Sequence, residues 1–471
     1  MTGGSRAGTP LSAEDLSFWY ADQPRQRTTM AMLMLLDRAP DPRRLAGAAW
    51  RMVEAVPRLR ERVVDAPFGL ALPRWEPDPT FDLDFHVRRY ALADAPGDLD
   101  ALFHRLGPIY ERPFDRTRPL WELIEIDRPG AGAALFFRLH HAVADGVGGN
   151  TIFAALTDAE RDGAPLAPPV AKQPGAWPET SFAASVGRAV RDRASQDAAR
   201  VGAVAGSLWH VARRPGSLLR AGRIVSSLAV DLAQRSESPL RDFGRARRLS
   251  GLDVPFEPLR AARRALGGRM VDVLLTAAAG AAGAWHRSQG HGRVRELQTL
   301  VPINLRPRAA QGATAGVGNR ATGILVRLPI RIANPVKRFR EIHRRVEARM
   351  AHPAVEFFPV VTSVLAALPR PLYRAVAYQS SKSVELIVTN VPGVPITRYL
   401  AGAAIEAAYP FAPVAPHCPI SIALYGYRDR LYVGLDADAT SFPDLAEFRR
   451  RLSESFDEVI AASRASGAPR A

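Results

Sequence analysis

A chain of 471 residues with a single cysteine, Cys418, cannot close an internal disulfide and offers no cysteine framework for zinc. That scarcity fits a reducing cytoplasm and implies no metal. Lysine is almost as rare: only Lys172, Lys337 and Lys382 occur, so nearly all of the 63 basic residues are arginine. The N-terminus lacks the charged, apolar and small-residue succession of a secretory signal. The longest apolar runs, Val273 to Trp285 and Phe357 to Leu368, are shorter than the roughly 20 residues needed to cross a bilayer. No repeat of short period is visible. No serine or cysteine stands in a Gly-x-Ser-x-Gly setting, and Cys418 is flanked by His417 and Pro419, so a covalent enzyme intermediate is not expected.

What is present describes an ordinary globular protein. Hydrophobic residues make up 47% and charged residues 23%, which argues against global disorder. The length exceeds one comfortable core, and two domains of roughly 200 residues each are expected. The net charge of +16 first suggests an anionic partner. Arginine richness of this kind also follows from a GC-rich genome, and a nucleic-acid partner is not expected. The charge is nonetheless uneven: between Lys172 and Ser250, 14 basic and 6 acidic residues give +8, half the total.

The most informative stretch is Leu135-Phe136-Phe137-Arg138-Leu139-His140-His141-Ala142-Val143-Ala144-Asp145-Gly146-Val147-Gly148-Gly149. A buried apolar strand, Ala133 to Leu139, ends abruptly in two histidines, an aspartate and glycines, with Thr151 to Ala159 reading as the first turns of a helix. Loops at strand ends carry active sites. Histidine is the side chain whose ordinary pKa suits proton transfer near neutrality. Successive strand residues point to opposite faces, so only one of His140 and His141 can face a given cavity, and we assign His141. Gly146, Gly148 and Gly149 let the chain turn sharply and are candidates to offer amides to a developing oxyanion.

Along the chain, Ser12 is placed to cap a helix through Phe18 and Trp19. Met30 to Leu36 reads as a strand, Ala46 to Val56 as a helix, and Leu120 to Ile126 as a strand joined to the histidine strand by Arg128-Pro129-Gly130-Ala131-Gly132. We divide the chain into an N-terminal domain over 1–165, a basic helical linker over 166–250 opened by the breaker Ala164-Pro165-Leu166-Ala167-Pro168-Pro169, and a C-terminal domain over 251–471. Within the linker Leu218, Ala221, Val225, Leu228 and Leu232 form one apolar helix face, with Arg220 and Arg223 elsewhere. Such a face either covers a core or docks on an anionic bilayer or lipid droplet. The last domain is expected to hold a helix over Met270 to Trp285 and strands over Leu297 to Ile303, Gly323 to Pro329 and Val384 to Thr389. A hairpin joins Pro419 to Leu424 with Leu431 to Leu435.

The pattern His-His-x-x-x-Asp-Gly is similar to the signature of acyltransferases that use thioesters on coenzyme A or on carrier proteins. Further stretches agree in order: Pro10-Leu11-Ser12-Ala13-Glu14-Asp15, Arg118-Pro119-Leu120-Trp121-Glu122, Val301-Pro302-Ile303-Asn304-Leu305-Arg306, Gly318-Asn319-Arg320, Thr389-Asn390-Val391-Pro392-Gly393, Asp438 and Pro443-Asp444. Together they resemble the bacterial wax ester synthase/diacylglycerol acyltransferase family across nearly the full length. Two departures stand out: Val271-Asp272 where the family usually has Asn-Asp, and Gly426-Tyr427 in place of serine-tyrosine.

The resemblance implies an α/β fold with mixed sheets, in two chloramphenicol-acetyltransferase-like domains enclosing a tunnel. It implies His141 as general base, with His140, Asp145 and Gly146 supporting the motif. In the related condensation domains this aspartate pairs with an arginine, for which Arg60 and Arg62 are the candidates here. Asn304, Arg306, Asn319 and Asn390 become candidate substrate contacts, while Trp121 reads as core. The implied reaction is O-acyl transfer from acyl-CoA to diacylglycerol and to long-chain alcohols, with no metal or bound cofactor. The implied place is the cytoplasm, with peripheral contact at the inner membrane or a lipid droplet. Two other readings stay open: a condensation-type catalyst fed by a carrier-protein thioester, and a non-catalytic lipid-binding or droplet-coating protein.

Overall fold

Local chemistry sets the first elements. The Ser12 hydroxyl accepts a hydrogen bond from Asp15 N at 3.0 Å and opens the helix Ala13–Ala21. Asp41 accepts from Arg44 N at 2.8 Å with Pro42 following, so the second helix runs over Pro42–Ala55, four residues earlier than its apolar periodicity suggests. The structure, a computed structural model, describes residues 8–90, 98–128, 130–163, 182–212, 238–239, 244–304, 321–351, 368 and 370–467. The side chains of 147, 182, 199–212, 304 and 321–322 are outside that description. The apolar helix face from Leu218 to Leu232 also lies outside the described residues.

Two six-stranded mixed sheets dominate. The first runs in the order Tyr399–Leu400, Ala403–Phe411, Thr29–Leu36, Ala133–His140, Trp121–Asp127 and Val87–Tyr90. Its Ala133–His140 strand is buried at every position, between two antiparallel neighbours. An apolar run with no alternation is what a strand covered on both faces requires. The second sheet runs Ala321–Leu328, Leu297–Asn304, Leu386–Val394, Ile420–Tyr427, Arg430–Asp438 and Arg247–Pro255. Leu386–Val394 is parallel to both of its neighbours, and the expected hairpin turns tightly at Arg428, whose φ is 55°.

Two short strands from the far end of the chain thus join the first sheet. Ala403–Phe411 pairs with Thr29–Leu36 across the nominal boundary at residue 251. Asp37 holds this crossing at its edge, accepting from Ala404 N at 2.8 Å and from Arg161 at 2.7 Å. The helix Met270–Ser288 lies in the core of the second half, with its Trp285 ring 1% exposed. Among the described residues no single helix is long and apolar enough to cross a membrane; Phe256–Leu266 and Met270–Ser288 pass only as a pair, bent by 102°.

Candidate active site

The two histidines part as successive strand residues do. His140, the last residue of its strand, is 2% exposed. Its Nδ1 accepts from Ala142 N at 3.1 Å, which leaves Nε2–H to donate to Thr28 Oγ1 at 2.9 Å. The Thr28 hydroxyl donates onward to Phe18 O at 3.3 Å. Burial pushes the His140 pKa down to about 4; Asp22 opposes the shift, while Arg116, His141 and Arg27 reinforce it. This imidazole is therefore neutral near pH 7, and each nitrogen already has a partner. His141 is half-buried, and its ring stacks on Phe18 with centroids 3.8 Å apart and planes 13° apart. Its backbone N–H donates to Thr28 O at 2.7 Å. Thr28 and Phe18 thus hold both histidines. Nothing local in the sequence distinguishes Thr28 from any other residue opening a strand.

Asp145 begins the helix Gly146–Leu156, accepting from Gly148 N at 2.8 Å through its side chain and from Gly149 N at 2.7 Å through its carbonyl. The helix therefore starts five residues before the expected Thr151, because the cap outweighs the poor helix propensity of the glycines. The same bonds correct a second expectation: the Gly148 and Gly149 amides are already engaged and do not face an oxyanion. Nor do Arg60 and Arg62 pair with Asp145. Arg60 lies over the Trp50 and Phe81 rings at 5.9 and 5.6 Å, and Arg62 donates to Thr117 O at 3.5 Å.

The start of this helix meets the second half of the chain. A Cβ added at Gly146 would stand 2.8 Å from Val391 Cγ2, and Asn150 Nδ2 donates to Pro392 O at 2.5 Å. Val391 lies where the strand Leu386–Val394 shifts register, and its neighbour Asn390 is exposed. Asn304 ends the adjacent parallel strand, whereas Asn390 stands midway along its own, just before the register shift. Arg306 and Asn319 lie outside the described residues. The structure thus brings together His140, His141, Asp145, Gly146 and, across the junction, the Asn390 strand. Asn150 was missed by sequence reasoning, since an asparagine just after a glycine run reads as loop.

Several motif residues prove to be supports. Trp121 is buried and donates Nε1–H to Leu59 O at 2.8 Å. Its neighbour Glu122 accepts from Arg138 at 3.0 Å and from Arg112 at 2.9 Å. Arg138 lies in the histidine strand with no side-chain exposure and with Phe114 4.4 Å below its guanidinium; burial pulls its pKa down to about 10. Asp272 accepts from Arg269 N and His343 Nδ1, each at 2.8 Å, so the departure at Val271 leaves that work intact. Asp438, fully buried, gathers the amides of Gly244, Thr440 and Ser441. Burial drives the Cys418 thiol up to about 12, far from a reactive thiolate. Among the described residues no three His, Cys, Asp or Glu side chains cluster as metal ligands.

Two mixed sheets joined by a crossing strand form a fold shared with a solved wax ester synthase and with solved condensation domains. The wax ester synthase/diacylglycerol acyltransferase from Marinobacter aquaeolei VT8 superposes with a TM-score of 0.66 at 18% identity, covering 97% of this chain and 100% of that one. The first condensation domain of the calcium-dependent antibiotic synthetase, in complex with a substrate analogue, gives 0.62 at 18% identity, covering 99% and 98%. The wax ester synthase/diacylglycerol acyltransferase catalytic domain matches residues 11–274, and the C-terminal domain of the same family matches residues 317–459. A Mycobacterium tuberculosis chain assigned by its name to the diacylglycerol O-acyltransferases is 31% identical over 449 residues, 93% of this chain and 89% of its own. Another chain from that species, so assigned, is 26% identical over 467 residues, 96% of each. The protein belongs to the wax ester synthase/diacylglycerol acyltransferase family.

Proposed function

We propose that this protein is an O-acyltransferase that moves a long-chain acyl group from acyl-CoA to diacylglycerol, making triacylglycerol, and to long-chain alcohols, making wax esters. The observation that carries this reading is the division between the two histidines: His140 has both nitrogens engaged in the core, whereas His141 is half-buried against Phe18. In the step we assign, a His141 nitrogen takes the acceptor's hydroxyl proton as its oxygen attacks the thioester carbonyl. The carbon–sulfur bond then breaks, and the coenzyme A thiolate leaves and is reprotonated. Holding both substrates at this ring supplies much of the rate. No metal or bound cofactor enters the step.

Asn390 and Asn304, on neighbouring parallel strands, together with Arg306 and Asn319, are assigned to substrate contact on the strength of their family motifs. Asp145 and Gly146 shape the loop that presents His141. The proposed place of action is the cytoplasmic side of the inner membrane or a lipid droplet, where both acceptors reside.

The test is ester formation from radiolabelled palmitoyl-CoA with diacylglycerol, hexadecanol or no acceptor. His141→Ala should lower turnover by about 10²–10⁴-fold, the usual loss on removing a general base. Activity within a few-fold of wild type would remove His141 from the role. Transfer from acyl-carrier thioesters but not from acyl-CoA would replace the donor assignment.

A further inference from the structure

The helix Arg370–Ser381 is amphipathic in an unusual sense: its outward residues are Pro371, Leu372, Ala375, Tyr378 and Gln379. Leu372 is 50% exposed and Tyr378 47%. Its charges have one sign, since Arg370, Arg374 and the following Lys382 occur with no acid between them. A surface helix that serves only to cover a core presents polar residues outward. Basic residues flanking outward apolar side chains are instead the composition of helices that lie in a lipid interface, where the apolar side chains insert and the cations meet phosphates.

Beside this helix opens a cleft of about 490 Å³, walled by Tyr20, Gln26, Arg374, Tyr378, Ser381 and His417. Arg25 also reaches it and is exposed. The Tyr20 ring meets Tyr373 edge-on at 5.5 Å, and Arg374 Nε donates to Tyr20 O at 3.1 Å. Nearby Asp22 is already shared by Arg27 at 3.5 Å and Arg116 at 2.8 Å. Burial, together with the adjacent Arg370 and Arg116 charges, pushes the Arg374 pKa down, as a crowd of cations should.

The cleft and the histidine site lie on the same two segments, although none of the cleft's walls is Phe18, Thr28 or a histidine of the motif. Tyr20 stands two residues after Phe18, which stacks on His141, and Gln26 stands two residues before Thr28, whose carbonyl holds the His141 amide. Two positions along a helix turn the chain by about 200°, so Tyr20 meets the cleft from the side of Ala13–Ala21 turned away from Phe18.

We propose that this face, the outward side of Arg370–Ser381 with the cationic rim of the cleft, docks on an anionic phospholipid bilayer. The inference rests on the acyltransferase reading above and adds the surface that brings the enzyme to the bilayer in which its water-insoluble acceptor lies. An anionic bilayer matches both features, apolar side chains at the surface and, among the described residues, an excess of positive charge around the opening.

Flotation of the full chain with phosphatidylcholine vesicles, and with phosphatidylcholine vesicles containing phosphatidylglycerol, tests it. Wild type should bind the second far better, with the difference shrinking at high salt. Lys382→Glu should weaken that binding by about fivefold or more, the usual effect of one cation near such a surface. Leu372→Asp should weaken it by on the order of tenfold. Neither residue lines the cleft, so the double variant should melt like wild type and turn over detergent-dispersed diacylglycerol within a few-fold of it, while losing turnover of diacylglycerol embedded in anionic vesicles. Absence of wild-type binding to anionic vesicles, or equal binding by the double variant, would overturn the docking surface. Failure of the acyltransferase reading shows differently, as no ester from either presentation of the acceptor whatever the vesicle binding.

Discussion

Thr28 is the residue on which the geometry of the site is most exposed to a single change. Its hydroxyl accepts the Nε2–H of His140 at 2.9 Å inside a core where that ring is 2% exposed. Valine has nearly the same shape but no acceptor, so Thr28→Val leaves a buried N–H unpaired, which costs about 1–3 kcal/mol. At about 2–4 °C per kcal/mol for domains of 150–250 residues, the melting temperature should fall by roughly 2–12 °C. Activity should fall further than stability alone explains, because the segment carrying Thr28 O and the Phe18 ring also positions His141. A displacement of about 1 Å at a reacting group can cost on the order of 100-fold. The assay is a thermal melt paired with steady-state ester synthesis at saturating palmitoyl-CoA, on Thr28→Val and on Thr28→Ser, which keeps the hydroxyl and should recover both quantities. The pH–rate profile should keep its shape, since the titrating base is untouched. Wild-type stability and turnover in Thr28→Val, or a Thr28→Ser variant as damaged as the valine, would refute the reasoning.

Gly146→Ala should destabilise by about 1–3 kcal/mol and reduce turnover, because its Cβ would stand 2.8 Å from Val391 Cγ2; adding Val391→Ala should restore both in a double-mutant cycle, and a cycle without coupling would disprove the contact. Asp436 is 1% exposed, and burial raises its carboxyl from 3.8 to about 7 against the lowering influence of Arg247 and Tyr110. A carboxyl raised on folding costs stability that grows as pH climbs from the unfolded value through the folded one, then stays constant. Asp436→Asn should therefore stabilise by on the order of 4 kcal/mol above pH 7, with the gain shrinking towards pH 4 in melts across that range.

Much of this molecule is written locally. The apolar run of Ala133–His140 announces a buried strand, Ser12 announces its helix, and His-His-x-x-x-Asp-Gly announces the site, because each depends on residues a few positions apart. The parts that were not legible depend on distance. Ala403–Phe411 is not among the strands expected from the sequence, and its pairing with Thr29–Leu36 in the other sheet is decided by packing between residues more than 350 apart. The helix at Gly146 was obscured since three glycines argue for a loop until the Asp145 cap is in place. The aspartate of the motif drew an arginine by analogy, whereas here Arg60 stacks on aromatic rings instead. Thr28 matters only because a strand register sets Thr29 opposite His140.

The same long-range contacts explain why the site sits where it does. The helix that follows His141 is gripped by the second half at both ends, at its start through Asn150 and Pro392 and at its end through Arg398, which donates to Thr157 Oγ1 at 3.0 Å and to Thr157 O at 2.6 Å. Arg398 is itself fixed, its N–H donating to Tyr427 Oη at 2.8 Å while that hydroxyl donates to Ile405 O at 3.0 Å in the crossing strand. Tyr427 therefore ties the histidine helix, the crossing strand and the second sheet into one clamp. Of the family's serine-tyrosine pair this chain keeps the tyrosine and changes only the serine, to Gly426. At that position the backbone of Gly393 comes so close that a Cβ on it would stand 1.4 Å from Gly426 O. That approach requires glycine at 393 and not at 426, where an added Cβ would meet only Phe256 at 3.9 Å, so the departure leaves both this packing and the clamp that positions His141 whole.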